Sequence, residues 1–317
     1  MIDKLKIEKG EFVRTNSSFR NWITADGSAG PTGSAGFKAE ANRYHLYISH
    51  ACPWAHRTLI MRSLKGLEEM ITVSVVHPIM PAESWVFGDY PGVTEDRINH
   101  SQNMLQNYQI AEPSFDGLVT VPVLWDKKQN SIVNNESSEI IRMLNTAFND
   151  LITTDKAKLD FYPANLQAEI DEVNEVVYHK INNGVYRAGF ATTQVAYNRA
   201  YNRLFDTLDE LELRLSKQAY LVGNQITEAD WRLFTTLVRF DAVYYSHFKT
   251  NKKRLVDYPN LWNYTLALYQ TPGVAETVNM DHIKTHYYGS HKSINPTGIV
   301  PLGPEIDFMQ PHNRKTL

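Results

Sequence analysis

The stretch from Tyr44 to His77 constrains this chain more than any other. YHLYIS is a run of aromatic and β-branched residues with the composition of a strand. CPWAHRTLIMRSLKGL follows, with Leu59, Ile60, Leu64 and Leu67 at helical spacing, and ITVSVVH is a second, strongly β-branched strand. Strand, helix and strand with short joins make a βαβ unit, which implies parallel pairing and a right-handed crossover. The stretch from Pro78 to Phe115 is long and mixed, with one helix predicted near Ile98 to Tyr108. TVPVLWD and SIVNN then read as two strands joined by the polar turn KKQN, and ESSEIIRMLNTAF as an amphipathic helix. The order β-α-β-α-β-β-α over residues 43–150 predicts a compact α/β domain.

From Pro163 onward strand signals nearly vanish. Helical periodicity through 164–182, 194–216, 228–247 and 260–269 predicts a second, all-helical domain over residues 163–317. The boundary falls near 150–163, where NDLITTDKAKLDFYP is polar and poorly periodic. Within the second domain, Thr227 and Asp230 of ITEADW form a capping box, with Ile226 and Trp231 as a hydrophobic staple, and this nucleates a buried helix. Residues 1–42 are polar and end in the Gly/Ser loop ADGSAGPTGSAGF, so they are expected to be an irregular extension with a mobile loop. The last thirty or so residues, from HYYGSHKSINPTGIVPLGP, are expected to be irregular as well. A length of 317 residues suits two domains.

The chain has a single cysteine. One cysteine makes neither an intrachain disulfide nor a cysteine-rich zinc site. MIDKLKIEKGEFVR lacks the apolar segment of a secretory signal, and no apolar run approaches a membrane span, so the expected location is cytoplasmic. A formal charge of −3 gives no positive field for nucleic acid or an anionic membrane. The thiol itself sits in SHACPWAHR, between strand and helix. Pro53 suits the first helical position, which makes Cys52 the N-cap and turns its sulfur toward unpaired amides at the positive end of the helix. Such placement favours the thiolate, and His50, His56 and Arg57 strengthen the field. The commonest use of a lone cysteine is as a small buried hydrophobe, but the strand–Cys–Pro–helix arrangement favours a reagent. A dithiol mechanism needs a resolving cysteine, usually three residues on, and there stands Ala55. A mixed disulfide at Cys52 is therefore resolved by an external thiol, for which glutathione is the plain cytosolic candidate.

Further residues fit such a site less specifically. In VTVPVL, Pro122 opens a strand where it cannot donate to the ladder. A cis Val121–Pro122 bond would free the Val121 backbone to pair with a peptide-like ligand, although the base expectation for the pair is trans. In NNESSEII, Glu136 and Ser137 open a helix whose amides suit a carboxylate while Glu136 suits an ammonium group; alone, the pair reads as a routine N-cap. His282 and His286 stand four apart on a predicted helix with His291 beyond, but no cysteine or evident carboxylate completes a metal set, and no metal is expected. KTNKKR near 249–254 reads as a solvated loop.

Together these residues resemble the thioredoxin-fold domain of cysteine-type glutathione transferases. The fuller match is to the glutathionyl-hydroquinone reductases, the xi class, which are similar to the omega class. It covers nearly the whole chain: NWIT and the Gly/Ser loop, CPWAHR, VVHP, ESWVF, TVPVLWD, IVNNESSEIIRMLN, NNGVYRAGFA and the tail HYYGSHKSINPTGIVPLGP. The resemblance implies Cys52 as nucleophile and glutathione, as co-substrate, contacted by Trp85, Val121, Pro122, Glu136 and Ser137. It places Tyr186 and Tyr287 over the second substrate, with Tyr288 beside them. The implied reaction reduces a glutathionyl-hydroquinone to the hydroquinone through a Cys52–glutathione disulfide, in a homodimer. The alternatives are an omega-like thioltransferase or dehydroascorbate reductase using the same cysteine, and a non-catalytic binding module on a transferase-like fold.

Overall fold

The computed structural model describes residues 6–81 and 84–314. In chain order its elements are β1 (Lys6–Glu8), β2 (Glu11–Val13), β3 (Trp22–Thr24), β4 (Gly36–Lys38), β5 (Tyr44–Ile48), α1 (Pro53–Leu64), β6 (Ile71–Val75) and α2 (Met104–Ala111). They continue with β7 (Val123–Asp126), β8 (Ser131–Asn134), α3 (Ser137–Thr146), α4 (Thr154–Ala157), α5 (Gln167–Val176), α6 (Asn183–Gly189) and α7 (Gln194–Leu215). The last are α8 (Glu228–Arg239), α9 (Pro259–Tyr269) and α10 (Met280–Ser290). The chain forms two compact units. One holds Asn16–Asp160 and Thr277–His282; the other holds Phe161–Glu276 with the described residues of Leu5–Thr15 and Ile283–Leu317.

In the first unit the sheet order is β6-β5-β7-β8. β5 runs parallel to β6 and antiparallel to β7, and β7 pairs antiparallel with β8, as a βαβ unit followed by a hairpin dictates. Every residue of β5 is buried, His45 included, as in a central strand covered on both faces. α1 packs against α3. The helix expected near Ile98 begins instead at Met104. The Asp96 carboxylate accepts the amides of Ile98 (3.0 Å), Asn99 (3.2 Å) and Ser101 (3.3 Å), winding that stretch into a turn. Asn103 then caps the helix by accepting from the Gln106 amide at 3.1 Å.

The N-terminal extension is not irregular. β3 and β4 pair in parallel, and the Gly/Ser loop between them is pinned: Asn21 Oδ1 accepts from the amides of Ser34 (3.1 Å) and Ala35 (3.0 Å), and the Trp22 indole N–H donates to Thr32 Oγ1 at 2.7 Å. A Cβ on Gly36 would stand 2.1 Å from the Ser28 carbonyl oxygen, so glycine here serves close approach rather than mobility.

In the second unit α6 packs on α7, α5 on α8, and α9 on both α7 and α8. α8 is buried on all sides, charges included. Arg232 pairs with Glu228 at 2.8 Å, and Asp230 accepts from the Thr227 amide at 2.7 Å in the expected capping box. Asp230 also accepts from the Leu221 amide (2.9 Å) and the Tyr264 hydroxyl (2.8 Å). The β1–β2 hairpin belongs to this unit and seats Gly10, whose carbonyl accepts from Thr192 N at 3.1 Å. HYYGS, expected to open an irregular tail, instead finishes α10. No described helix is long and apolar enough to cross a membrane.

Candidate active site

β5 delivers the chain to Cys52, which caps α1 with extended backbone (φ −74°, ψ 119°) ahead of Pro53. The Ala55 amide donates to Cys52 Sγ at 3.5 Å, the end-on contact expected where a helix opens under a thiol. The thiol donates to the Val121 carbonyl at 3.3 Å. These contacts act in opposite senses: the amide and the helix dipole favour the thiolate, whereas the carbonyl favours the protonated sulfur. Cys52 is largely buried, 9% exposed. The Val121–Pro122 peptide is cis, where the sequence base expectation is trans.

Arg57, one turn along α1, lies with its guanidinium 4.6 Å from the centre of the Trp54 ring, and its Nη1 is 3.5 Å from Ser137 Oγ. His56 Nε2 is 2.8 Å from Thr277 Oγ1, and the His50 ring meets His282 edge-on at 5.3 Å. Ser137 is buried at the first position of α3, and Glu136 is its N-cap. Glu136 Oε1 accepts from the Ser138 amide (3.0 Å) and hydroxyl (2.8 Å), and Oε2 from Ser17 Oγ at 2.9 Å. Burial pushes this carboxyl up, but the bonds from Ser138 and Ser17 and the charge of Arg57 outweigh it and hold the group below the usual range. It is a half-buried, ionised carboxylate. Trp85 is buried, its carbonyl accepting from Met104 N at 2.8 Å.

In the helical unit the structure brings Tyr186 and Tyr287 together. Their hydroxyls are 2.6 Å apart, and Tyr287 shares a further bond with Tyr244 at 2.9 Å. Tyr186 is half-buried and forms the outer end of this chain of phenols; Tyr287 and Tyr244 are buried. Burial, together with the neighbouring phenols, raises the inner two well above the ordinary tyrosine range, and Arg239 opposes the rise. Both therefore hold their protons at neutral pH. Arg14 lies 5.3 Å over the Tyr186 ring and donates to Asn183 Oδ1 at 2.6 Å. Tyr288 stands apart from the chain of hydroxyls: its OH meets Ser246 Oγ and, at 3.4 Å, the Ala242 carbonyl.

Sequence reasoning misses Ser17, Tyr244, Arg239 and Arg14. VRFDAVYY carries no local sign that distinguishes Tyr244 from Tyr245, and Ser17 lies more than a hundred residues before its partner. Of the three histidines, His282 Nε2 is 2.6 Å from the Pro91 carbonyl, whereas the His286 and His291 rings meet at 5.3 Å and His291 Nδ1 is 3.1 Å from His247 Nε2. Among the described residues no three His, Cys, Asp or Glu side chains are grouped to hold a metal ion.

A mixed four-stranded sheet, a cysteine capping the helix after its first strand, and a separate unit of helices define a glutathione transferase of the cysteine type. The glutathione S-transferase N-terminal domain family matches residues 51–147, and the C-terminal domain family residues 194–267. The glutathionyl-hydroquinone reductase YqjG of Escherichia coli is 57% identical over 96% of this chain and 92% of its own. The glutathionyl-hydroquinone reductase PcpF of Sphingobium chlorophenolicum is 52% identical over 94% and 91%. Among solved structures, glutathione-bound YqjG superposes with a TM-score of 0.92 at 56% identity, covering 94% of this chain and 96% of that one. The xi transferase of Phanerochaete chrysosporium also scores 0.92, at 52% identity and 98% coverage of both chains. The chain belongs to the xi-class, glutathionyl-hydroquinone reductase family of glutathione transferases.

Proposed function

We propose that this enzyme reduces glutathionyl-hydroquinones to hydroquinones with glutathione as co-substrate. The observation that carries the reading is a solitary thiol held at the mouth of α1, with alanine at the position of a resolving cysteine, in a chain 57% identical to a reductase of that name. The Cys52 thiolate attacks the thioether sulfur of the substrate. A Cys52–glutathione disulfide forms, the carbon–sulfur bond breaks, and the electron pair leaves with the aromatic ring, which takes up a proton. A second glutathione thiolate then attacks the mixed disulfide, releasing oxidised glutathione and restoring the Cys52 thiolate. In sum, one glutathionyl-hydroquinone and one glutathione give one hydroquinone and one oxidised glutathione, in a ping-pong scheme.

Glu136 and Ser137 receive the γ-glutamyl end of glutathione, the carboxylate against the α3 amides and the ammonium against Glu136. Val121 and Pro122 pair with its peptide backbone, and Trp85 packs beside it. Tyr186 donates to the hydroquinone, backed by Tyr287, whose phenol keeps its proton at neutral pH, with Tyr288 bordering the ring. The enzyme works as a homodimer in the cytoplasm and needs no metal. Steady-state turnover tests the reading: hydroquinone release from a glutathionyl-hydroquinone is expected, at a rate far above any reduction of dehydroascorbate. Turnover of dehydroascorbate alone would replace it with the omega-like reading.

A further inference from the structure

The N-terminal segment ahead of β3 carries no part in the reaction so far, yet it is tied along the edge of the sheet that leads to Glu136. Asn21 N donates to the Val133 carbonyl and Asn135 N to the Phe19 carbonyl, each at 3.1 Å, with Arg20 bridged to Asn134 between them. The segment thus adds one antiparallel bridge to the edge of β8. Side chains lock it there. Phe19 N donates to Asn135 Oδ1 at 3.0 Å, and Asn134 Nδ2 to the Asn21 carbonyl at 2.9 Å. The buried Glu139 carboxylate, one turn past Glu136 on α3, takes both Arg20 Nε (2.7 Å) and Nη2, Thr32 Oγ1 (2.7 Å) and Asn134 Nδ2 (2.8 Å). A bidentate guanidinium pair with two further donors is a rigid anchor.

The end of this anchored segment is Ser17. Its hydroxyl has one proton to donate, and Oγ lies 2.9 Å from Glu136 Oε2 and 3.3 Å from the Asn135 carbonyl oxygen. A carboxylate oxygen offers two lone pairs. Oε1 of Glu136 spends both on Ser138; Oε2 spends one on Ser17 and has one left. Ser17 Oγ, having donated its proton, retains its own lone pairs beside that oxygen.

We infer that Ser17 is a positioning residue of the glutathione site: the anchored N-terminal segment fixes Glu136 Oε2 and, with its own hydroxyl oxygen, forms the seat for the γ-glutamyl ammonium. The inference rests on the assignment of Glu136 under the proposed function and adds to it. The extension is thereby part of the binding site rather than an appendage, and Ser17 matters only for ligands that carry the amino group.

Titration calorimetry with S-methylglutathione, which forms no mixed disulfide, and with its analogue lacking the γ-glutamyl amino group tests this on the full chain. In the wild type the amino group is expected to tighten binding. Ser17→Ala is expected to weaken S-methylglutathione about five- to tenfold, the size of one hydrogen bond to a charged group. It should change the analogue less than twofold. Ser17→Thr, which keeps the hydroxyl, restores binding, and Ser17→Ala raises the KM for glutathione with little change in kcat. Equal weakening of both ligands, or of neither, overturns the inference. A wild type that binds both ligands equally removes the Glu136 assignment itself, and the inference with it; an amino-group preference kept in full by Ser17→Ala removes the inference alone.

Discussion

His45 is the second residue of β5, the strand that delivers Cys52, and it sets an acid limit on the fold. It is 2% exposed, with Nδ1 2.6 Å from Thr72 Oγ1 and with no partner for Nε2 among the described residues. Burial pushes its pKa down from 6.5 to about 4, against a smaller upward pull from Asp96. A histidine with a depressed folded pKa is protonated more readily in the unfolded chain. Stability is therefore full above the unfolded value of 6.5 and declines as pH falls toward about 4, below which both states carry the proton and the loss stops growing. Between pH 7 and pH 4.5 the linkage removes about 2 kcal/mol, because the unfolded imidazole is almost wholly charged at the lower pH and the folded one is not. His45→Asn keeps a polar partner for Thr72 and abolishes the titration. Urea unfolding followed by tryptophan fluorescence at both pH values gives the loss within each protein, so any constant cost of the substitution cancels. The wild type should lose about 2 kcal/mol more than the variant over this interval. Equal acid losses in the two would refute the assignment of that window to His45.

Other expectations follow from single contacts. Tyr186→Phe removes the outer phenol and should lower kcat by about 10²-fold while leaving the KM for glutathione unchanged, measured by steady-state kinetics. Tyr287→Phe, which acts through Tyr186, should cost about tenfold, and full activity in Tyr186→Phe would exclude it as donor. Gly36→Ala places a Cβ 2.1 Å from the Ser28 carbonyl and should destabilise by about 1–3 kcal/mol, seen as a lower thermal midpoint. Gly184→Ala in α6 meets nothing closer than 3.7 Å and should stabilise by up to about 1 kcal/mol through helix propensity; an equal fall in both midpoints would contradict this contrast.

What is legible in the sequence is what depends on local pattern. β5, α1 and β6 follow from composition and period, and the N-cap at Cys52 follows from the proline behind it. The phenol pair and the proposed glutathione contacts rest on long family-specific segments, not on spacing. α6 is hidden by two asparagines and two glycines in NNGVYRAG; tertiary packing forms it, with Gly189 admitting the Phe248 ring. The extension misleads for a related reason. Its glycines signal freedom to a local reading, whereas Asn21 pins the loop from within the extension and Glu139 holds Thr32 from more than a hundred residues away. The cis peptide at Pro122 and the union of Tyr186, Tyr244 and Tyr287 are likewise tertiary facts with no local cue.

The mechanism requires that the one thiol of this chain become joined to glutathione during the reaction. Mixing the enzyme with one equivalent of a glutathionyl-hydroquinone, without free glutathione, and digesting for mass spectrometry answers this directly. One glutathionyl group on the peptide that carries Cys52, one equivalent of hydroquinone released, and loss of the adduct as oxidised glutathione when glutathione is added are the predicted results. Hydroquinone release with Cys52 unmodified, or undiminished turnover in Cys52→Ser, would contradict it.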